Sequence, residues 1–120
     1  MKADAAPRVT LRLDFGEGRY VGHGKVRLLE EVAAAGSISA AARAVGMSYR
    51  RAWLLIDELN RMFGRKLVEA HPGGRGVRAT LTPFGARLVA DYRGMEADAA
   101  APCAERMAAL ARTLAAPQDG

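Results

Sequence analysis

Apolar residues recur along this chain with two periods. Val9, Leu11, Leu13 and Phe15 alternate with Thr10, Arg12 and Asp14, as in a half-buried strand. Gly16-Glu17-Gly18 turns the chain, and Tyr20 and Val21 continue a short hairpin. The period then lengthens. Val26, Leu29, Val32 and Ala33 line the core side of a first helix, Lys25 to Ala35, which Gly36 ends. Ser39 is placed to cap a second, Ala-rich helix, Ala40 to Val45. Its Ala41, Ala42 and Val45 share one side, where small residues let a neighbouring helix approach closely. Gly46 supplies the flexible or left-handed turn position, Met47 plugs the corner, and Ser48 restarts the chain as an N-cap. In the third helix Ala52, Leu55, Ile56, Leu59 and Phe63 form an apolar stripe, with Arg50, Leu54, Asp57 and Arg61 on the opposite face and Gly64 at the end.

Two short helices joined by a Gly turn predict a helix-turn-helix. In that motif the second helix lies in the major groove and its N-terminal residues meet base edges, which places Tyr49, Arg50, Arg51 and Leu54 best. Arg50 is the first candidate for base readout, because a guanidinium bonds N7 and O6 of guanine together, and Leu54 suits a thymine methyl. Tyr49 and Trp53 flank the apolar stripe and are expected to be partly buried.

Lys66 to Glu69 and Arg78 to Leu81 read as short strands joined by His71 to Val77, a β-wing. Its glycines permit close approach to a sugar-phosphate backbone, and Arg75 and Arg78 suit phosphates or the minor groove. The run Gly73-Gly74-Arg75-Gly76 lacks the spacing and terminal Lys-Ser/Thr of a P-loop and leads into a strand, which argues against nucleotide binding.

Thr82 caps a further helix with Pro83 at its first position, where Pro costs least. Leu88, Tyr92, Met95 and Ala99 repeat at helical spacing, and Met107, Leu110 and Leu114 resume the stripe beyond Pro102. This stripe is expected to be a dimer seam; its alternative is an intramolecular core. Pro102 should kink or divide the helix. The expected organisation is a flexible tail over 1–8, a winged helix-turn-helix domain over 9–82, a helical dimerisation arm over 83–116 and a frayed tail over 117–120. The fold class is mainly α with a small β-wing.

Charge follows the proposed reader. Residues 43–87 carry nine Arg or Lys against three Asp or Glu, whereas residues 88–120 carry three against five. The single cysteine, Cys103, precludes an intrachain disulfide and fits a reducing cytoplasm. It is expected to be a structural thiol rather than a redox switch. No run approaches the ~20 apolar residues of a membrane span, and Met1 to Pro7 is too short and polar for a signal peptide, so a soluble cytoplasmic protein is expected. His23 and His71 lack a Cys or carboxylate at metal-site or catalytic spacing. Glu30 and Glu31, adjacent in sequence, are expected to face solvent. No catalytic constellation, metal site or cofactor is expected.

The segments GSIS, AA, GMSY, AW, LN, LVE, GG and LTPFG occur here in the order seen in the N-terminal DNA-binding domain of ModE-type molybdate-responsive transcription regulators. The chain resembles that family from about Val9 to Tyr92, and its helical core also resembles LysR-type regulators. The resemblance implies a winged helix-turn-helix that dimerises through a long helix after the wing and binds palindromic operators, commonly of molybdate-uptake genes. It implies DNA-facing roles for Ser37, Ser39, Ser48, Tyr49, Arg50 and Arg51, and wing roles for Gly73, Gly74 and Arg75. Two departures stand out: the wing is shorter and poorer in Gly than is usual in the family, and full-length members continue into oxyanion-binding β-barrel domains. Molybdate is therefore not expected to bind these residues directly.

The expected function is a dimeric, sequence-specific transcription regulator whose partners are double-stranded DNA and a second copy of the chain. A protein-interaction module, a non-specific architectural DNA binder and a stand-alone oxyanion sensor are the alternatives.

Overall fold

The computed structural model describes residues 6–73 and 76–116, arranged as β1 (Arg12–Gly16), β2 (Arg19–Gly22), α1 (His23–Ala35), α2 (Ile38–Val45), α3 (Tyr49–Phe63), β3 (Val68–Gly73), β4 (Gly76–Leu81) and α4 (Pro83–Ala111). Two antiparallel hairpins, β1 with β2 and β3 with β4, flank three helices. The result is the mainly helical, winged helix-turn-helix architecture that the residue pattern predicts.

One core joins these elements. Val26, Leu28, Leu29 and Val32 of α1 are fully buried among Ile38, Ala41, Ala52, Ile56, Leu59, Leu67, Ala79 and Tyr92. Because α1 meets β2, α2, α3, β4 and α4, its buried arc is broader than a one-sided stripe. Leu28 and even Lys25 fall inside that arc, whereas Ala33, expected in the core, lies exposed. The buried Lys25 ammonium donates to the Tyr20 carbonyl at 3.0 Å, stacks 3.9 Å above the Tyr20 ring and lies 3.6 Å from Glu58. Those contacts offset the cost of burying its charge.

Several boundaries differ from expectation for identifiable reasons. The first strand begins at Arg12, not Val9, because the Tyr92 hydroxyl donates to the Leu11 carbonyl at 2.7 Å and accepts from its N–H at 3.2 Å. Both backbone groups of Leu11 thus turn to the Tyr92 side chain rather than to a neighbouring strand. Register slips between Asp14 and Gly16, which leaves Phe15 outside the pairing and half exposed, its ring edge-to-face with Phe63. Helix α1 starts at His23, two residues earlier than expected.

Ser37, not Ser39, caps α2: Gly36 is left-handed at φ 73°, Ser37 is extended, and its hydroxyl accepts from the Ala40 N–H at 3.0 Å. The wing strands run through most of the expected His71–Val77 loop, pairing from Val68 with Leu81 to Gly73 with Gly76.

Helix α4 is a single element of 29 residues that continues through Pro102 without division. The missing N–H costs one helical bond, and the alanines on either side, Ala99 to Ala101 and Ala104, favour helix strongly enough to carry the chain across. It ends at Ala111, where the Thr113 hydroxyl donates to the Leu110 carbonyl at 2.7 Å, so Leu114 lies beyond the helix rather than on its stripe. Leu88 and Tyr92, expected in the dimer seam, are buried in the chain's own core. Of the expected tail over 1–8, residues 1–5 lie outside the described residues, as does the expected tail over 117–120. Arg8 is engaged, its guanidinium 2.8 Å from His23 Nε2. Among the described residues no helix is long and apolar enough to cross a membrane.

Candidate nucleic-acid interface

The corner between α2 and α3 follows from local chemistry. Gly46 adopts φ 75°, where a side chain would be strained, and its N–H and that of Met47 return to the Arg43 and Ala42 carbonyls at 3.2 and 3.0 Å. Met47 is half-buried against the core. Ser48 then caps α3, its hydroxyl accepting from the Arg51 N–H at 3.0 Å. These contacts aim the first turn of α3 away from the core.

Ala52, Ile56 and Leu59 are buried, with Leu55 and Phe63 partly so, and Arg50, Leu54, Asp57 and Arg61 are all exposed. The exposed stripe is not uniform. At its C-terminal end Arg61 is paired with Asp57, one helical turn away. Glu58, the other acid of α3, faces Lys25. Among the described residues no carboxylate pairs with Arg50 or Arg51, and Leu54 between them is 57% exposed. Net positive charge and an apolar contact are therefore concentrated in the first turn and a half.

Tyr49 is 48% exposed and packs edge-to-face against the half-buried Trp53, ring centroids 6.3 Å apart. Only Trp53 matches the expected partial burial. Two of the three serines serve the backbone first. Ser37 and Ser48 hold caps, and Ser39 accepts from the Arg43 guanidinium at 3.1 Å on the exposed side of α2.

In the wing, Arg78 is exposed on β4 opposite His71 of β3, whose ring lies 3.2 Å from the Thr80 hydroxyl. Gly73 ends β3, and Gly74 and Arg75 lie outside the described residues.

The part that Asn60, Thr82 and Gly85 play in seating the wing has no local sequence signal beyond the N-cap expected of Thr82, which its bond from the Gly85 N–H bears out. Asn60 accepts the Leu67 N–H at 2.8 Å, tying the end of α3 to the chain entering β3. The Thr82 N–H reaches the Leu67 carbonyl at 2.9 Å, and its hydroxyl donates to the Lys66 carbonyl at 2.8 Å while accepting from the Gly85 N–H at 3.0 Å. Gly85 lies so close to Leu67 that a Cβ would overlap its carbonyl oxygen. Ala79 donates to the Gly36 carbonyl at 2.9 Å, fastening β4 to the start of the helix-turn-helix. The wing is thus tied to the end of α3, to the turn before α2 and to the root of α4.

A second cluster has no local sequence signal. Arg93 of α4 donates to both carboxylate oxygens of Glu30 on α1, at 2.9 and 2.8 Å, and to Glu96 at 2.7 Å. Glu30 is therefore an interhelical partner, not the solvent-facing charge its position beside Glu31 suggests. Its hydrogen bonds to Arg93 hold the carboxyl below the usual carboxylate range. The same bonds push the Arg93 guanidinium upward. His23 stands between Arg8 and Arg93, and burial followed by those two cations lowers its pKa.

Comparison with known proteins agrees with this geometry. Residues 24–86 match the bacterial regulatory helix-turn-helix proteins of the lysR family. The chain is 47% identical over 77 residues to the molybdenum-pterin-binding protein MopA of Rhodobacter capsulatus, covering 63% of this chain and 29% of that protein. It is 40% identical over 87 residues to the molybdenum transport protein ModE of Azotobacter vinelandii, covering 72% and 32%. It is 36% identical over 85 residues to the DNA-binding transcriptional dual regulator ModE of Escherichia coli K12, covering 70% and 32%. The chain thus spans about a third of the length of these relatives. Among solved structures, the DNA-binding domain of CbnR in complex with DNA superposes with a TM-score of 0.54 at 26% identity, covering 72% of this chain and 94% of that one.

Proposed function

The chain belongs to the lysR family of bacterial regulatory helix-turn-helix proteins, and from that premise we propose that it is a ModE-like, sequence-specific DNA-binding regulator of transcription. It binds an inverted-repeat operator as a homodimer, acts on genes concerned with molybdenum, and carries out no catalytic step. The uneven charge of α3 carries this reading: among the described residues no carboxylate pairs with Arg50 or Arg51 at the end of the helix that enters the groove, while Arg61 is neutralised by Asp57 at the other. The DNA in the CbnR complex and the regulatory and molybdenum-related names of the relatives support it.

Arg50 reads a guanine edge, Leu54 and Tyr49 contact neighbouring bases, and Arg51 with Ser39 and Ser48 positions the helix on the backbone. Gly73, Gly74, Arg75 and Arg78 bring the wing to phosphates. The exposed apolar side chains of the C-terminal arm, Met95, Leu110 and Leu114, with the half-buried Ala99 and Met107 between them, meet the second copy. Half-sites then lie about one helical turn, ~34 Å, or a multiple of it, apart.

Selection from a random duplex pool at near-physiological salt tests the reading, and an enriched inverted repeat is the expected result. Titrating that site with molybdate shows whether sensing resides in these residues. Arg50→Ala should cost about 1 to 3 kcal/mol on the selected site and relax base preference, whereas Arg78→Ala should weaken selected and random DNA alike. Equal losses on both DNAs for Arg50→Ala would remove its base-reading role, and failure to enrich any sequence would remove the reading itself.

A further inference from the structure

A dimer that reads two half-sites must hold its two recognition helices at a set separation and angle. In this chain that geometry passes through α4, because α3 belongs to the domain core while the far part of α4 carries the exposed apolar residues. What fixes the direction of α4 relative to α3 is therefore what fixes the operator spacing.

The last buried residue of α4 is Tyr92. Here the helix is clamped from two sides. The Tyr92 hydroxyl takes both backbone groups of Leu11, which binds α4 to the segment leading into β1. One residue further, Arg93 reaches α1 through a two-point bond to Glu30, and the same guanidinium holds Glu96 on the next turn. A planar guanidinium bonded to both oxygens of one carboxylate restricts rotation as well as distance. His23, at the N-terminal end of α1, closes the cluster at 3.3 Å from Arg93, with Arg8 on its other face at 2.8 Å. Beyond Glu96 no residue of α4 is buried among those described.

We propose that the Tyr92–Arg93 junction is a positioning device for DNA recognition: by locking the exit angle of α4 against α1, it selects the separation between operator half-sites. Arg93 and Tyr92 touch no base in this arrangement. They act through α4, and the inference rests on the dimeric DNA-binding reading above.

The test uses the full 120-residue chain and a series of duplexes in which the selected half-sites are separated by spacers that differ by single base pairs. Binding to an isolated half-site and the dimer mass in solution are measured alongside. The wild-type chain should prefer one spacing. Arg93→Ala should bring the affinity ratio between best and neighbouring spacings toward one, with half-site binding and dimer mass unchanged. Tyr92→Phe, which keeps the ring in the core, and Glu30→Gln should each lower the ratio partway, so the outcome does not depend on Arg93→Ala folding well. Arg106→Ala, on the same helix beyond the junction, should keep the wild-type ratio. Retention of that ratio by Tyr92→Phe and Glu30→Gln overturns the inference, as does loss of the dimer itself in either variant. Wild-type binding to the inverted repeat without any spacing preference also overturns it while leaving the DNA-binding reading intact. Failure of the wild-type chain to favour inverted repeats over random DNA defeats the underlying reading instead.

Discussion

From Pro83 to Glu96, α4 is fastened to the rest of the chain by its Thr82 cap, the close approach of Gly85 to Leu67, the buried Leu88 and Tyr92, and the Arg93 junction. From Ala97 to Ala111 the same helix has no buried residue, and Leu110 is 68% exposed. The first half owes its place to tertiary contacts. The second owes its helicity to alanine, which supports a helix without supplying a core. One apolar stripe runs through both halves, so its period identifies a helix face that seeks cover without saying what covers it.

The sharpest way to break the contrast is at the root. Gly85→Val should destabilise the folded chain by about 3 kcal/mol, because the new side chain meets backbone that cannot rotate away. Chemical denaturation would measure this, and a loss below about 1 kcal/mol would mean that α4 and the wing shift apart easily.

Acidification probes the same root more gently. His23 has a folded pKa below its ordinary 6.5. Above that value it is neutral in both states and contributes nothing to pH dependence. As the pH falls below it, the unfolded chain takes up a proton that the folded chain resists, and stability drops. Thermal unfolding at about pH 7.5 and about pH 5.5 should therefore show a smaller loss for His23→Gln than for the wild-type chain. Identical losses would show that His23 is not the responsible group. Glu30 acts in a lower window. Its folded pKa lies below 4.5, so the stability that it contributes above that value disappears as the pH falls further through the lowered one.

At the distal half the smallest effect on folding is expected. Leu110→Ser combined with Leu114→Ser should change the unfolding free energy of the isolated chain by no more than about 0.5 kcal/mol. The same pair should weaken self-association, read by sedimentation or light scattering. Unchanged association would place the dimer contact elsewhere.

The α3 stripe was legible in the sequence because a helix writes its period into neighbouring residues, and Ser48, Gly46 and Gly64 mark its limits by local backbone chemistry. The second helix shows how narrow that legibility is. Ser37 and Ser39 are both good caps, and the choice fell to Ser37 once Gly36 turned left-handed and Ile38 entered the core. Pro102 shows the reverse case: of the two outcomes expected there, a kink or a division, the division does not occur, because helix-forming neighbours carry the helix on.

The sequence by itself determined the element types, the helix-turn-helix corner and the exposed arginines of α3, since each depends on residues within a few turns of one another. Only the tertiary structure decided that Leu88 and Tyr92 belong to the chain's own core. It also decided that Asn60 and Thr82 seat the wing, and that Glu30 belongs to Arg93. Glu30 and Arg93 are 63 positions apart, and contacts at that range depend on how whole elements pack, which no short-range periodicity encodes.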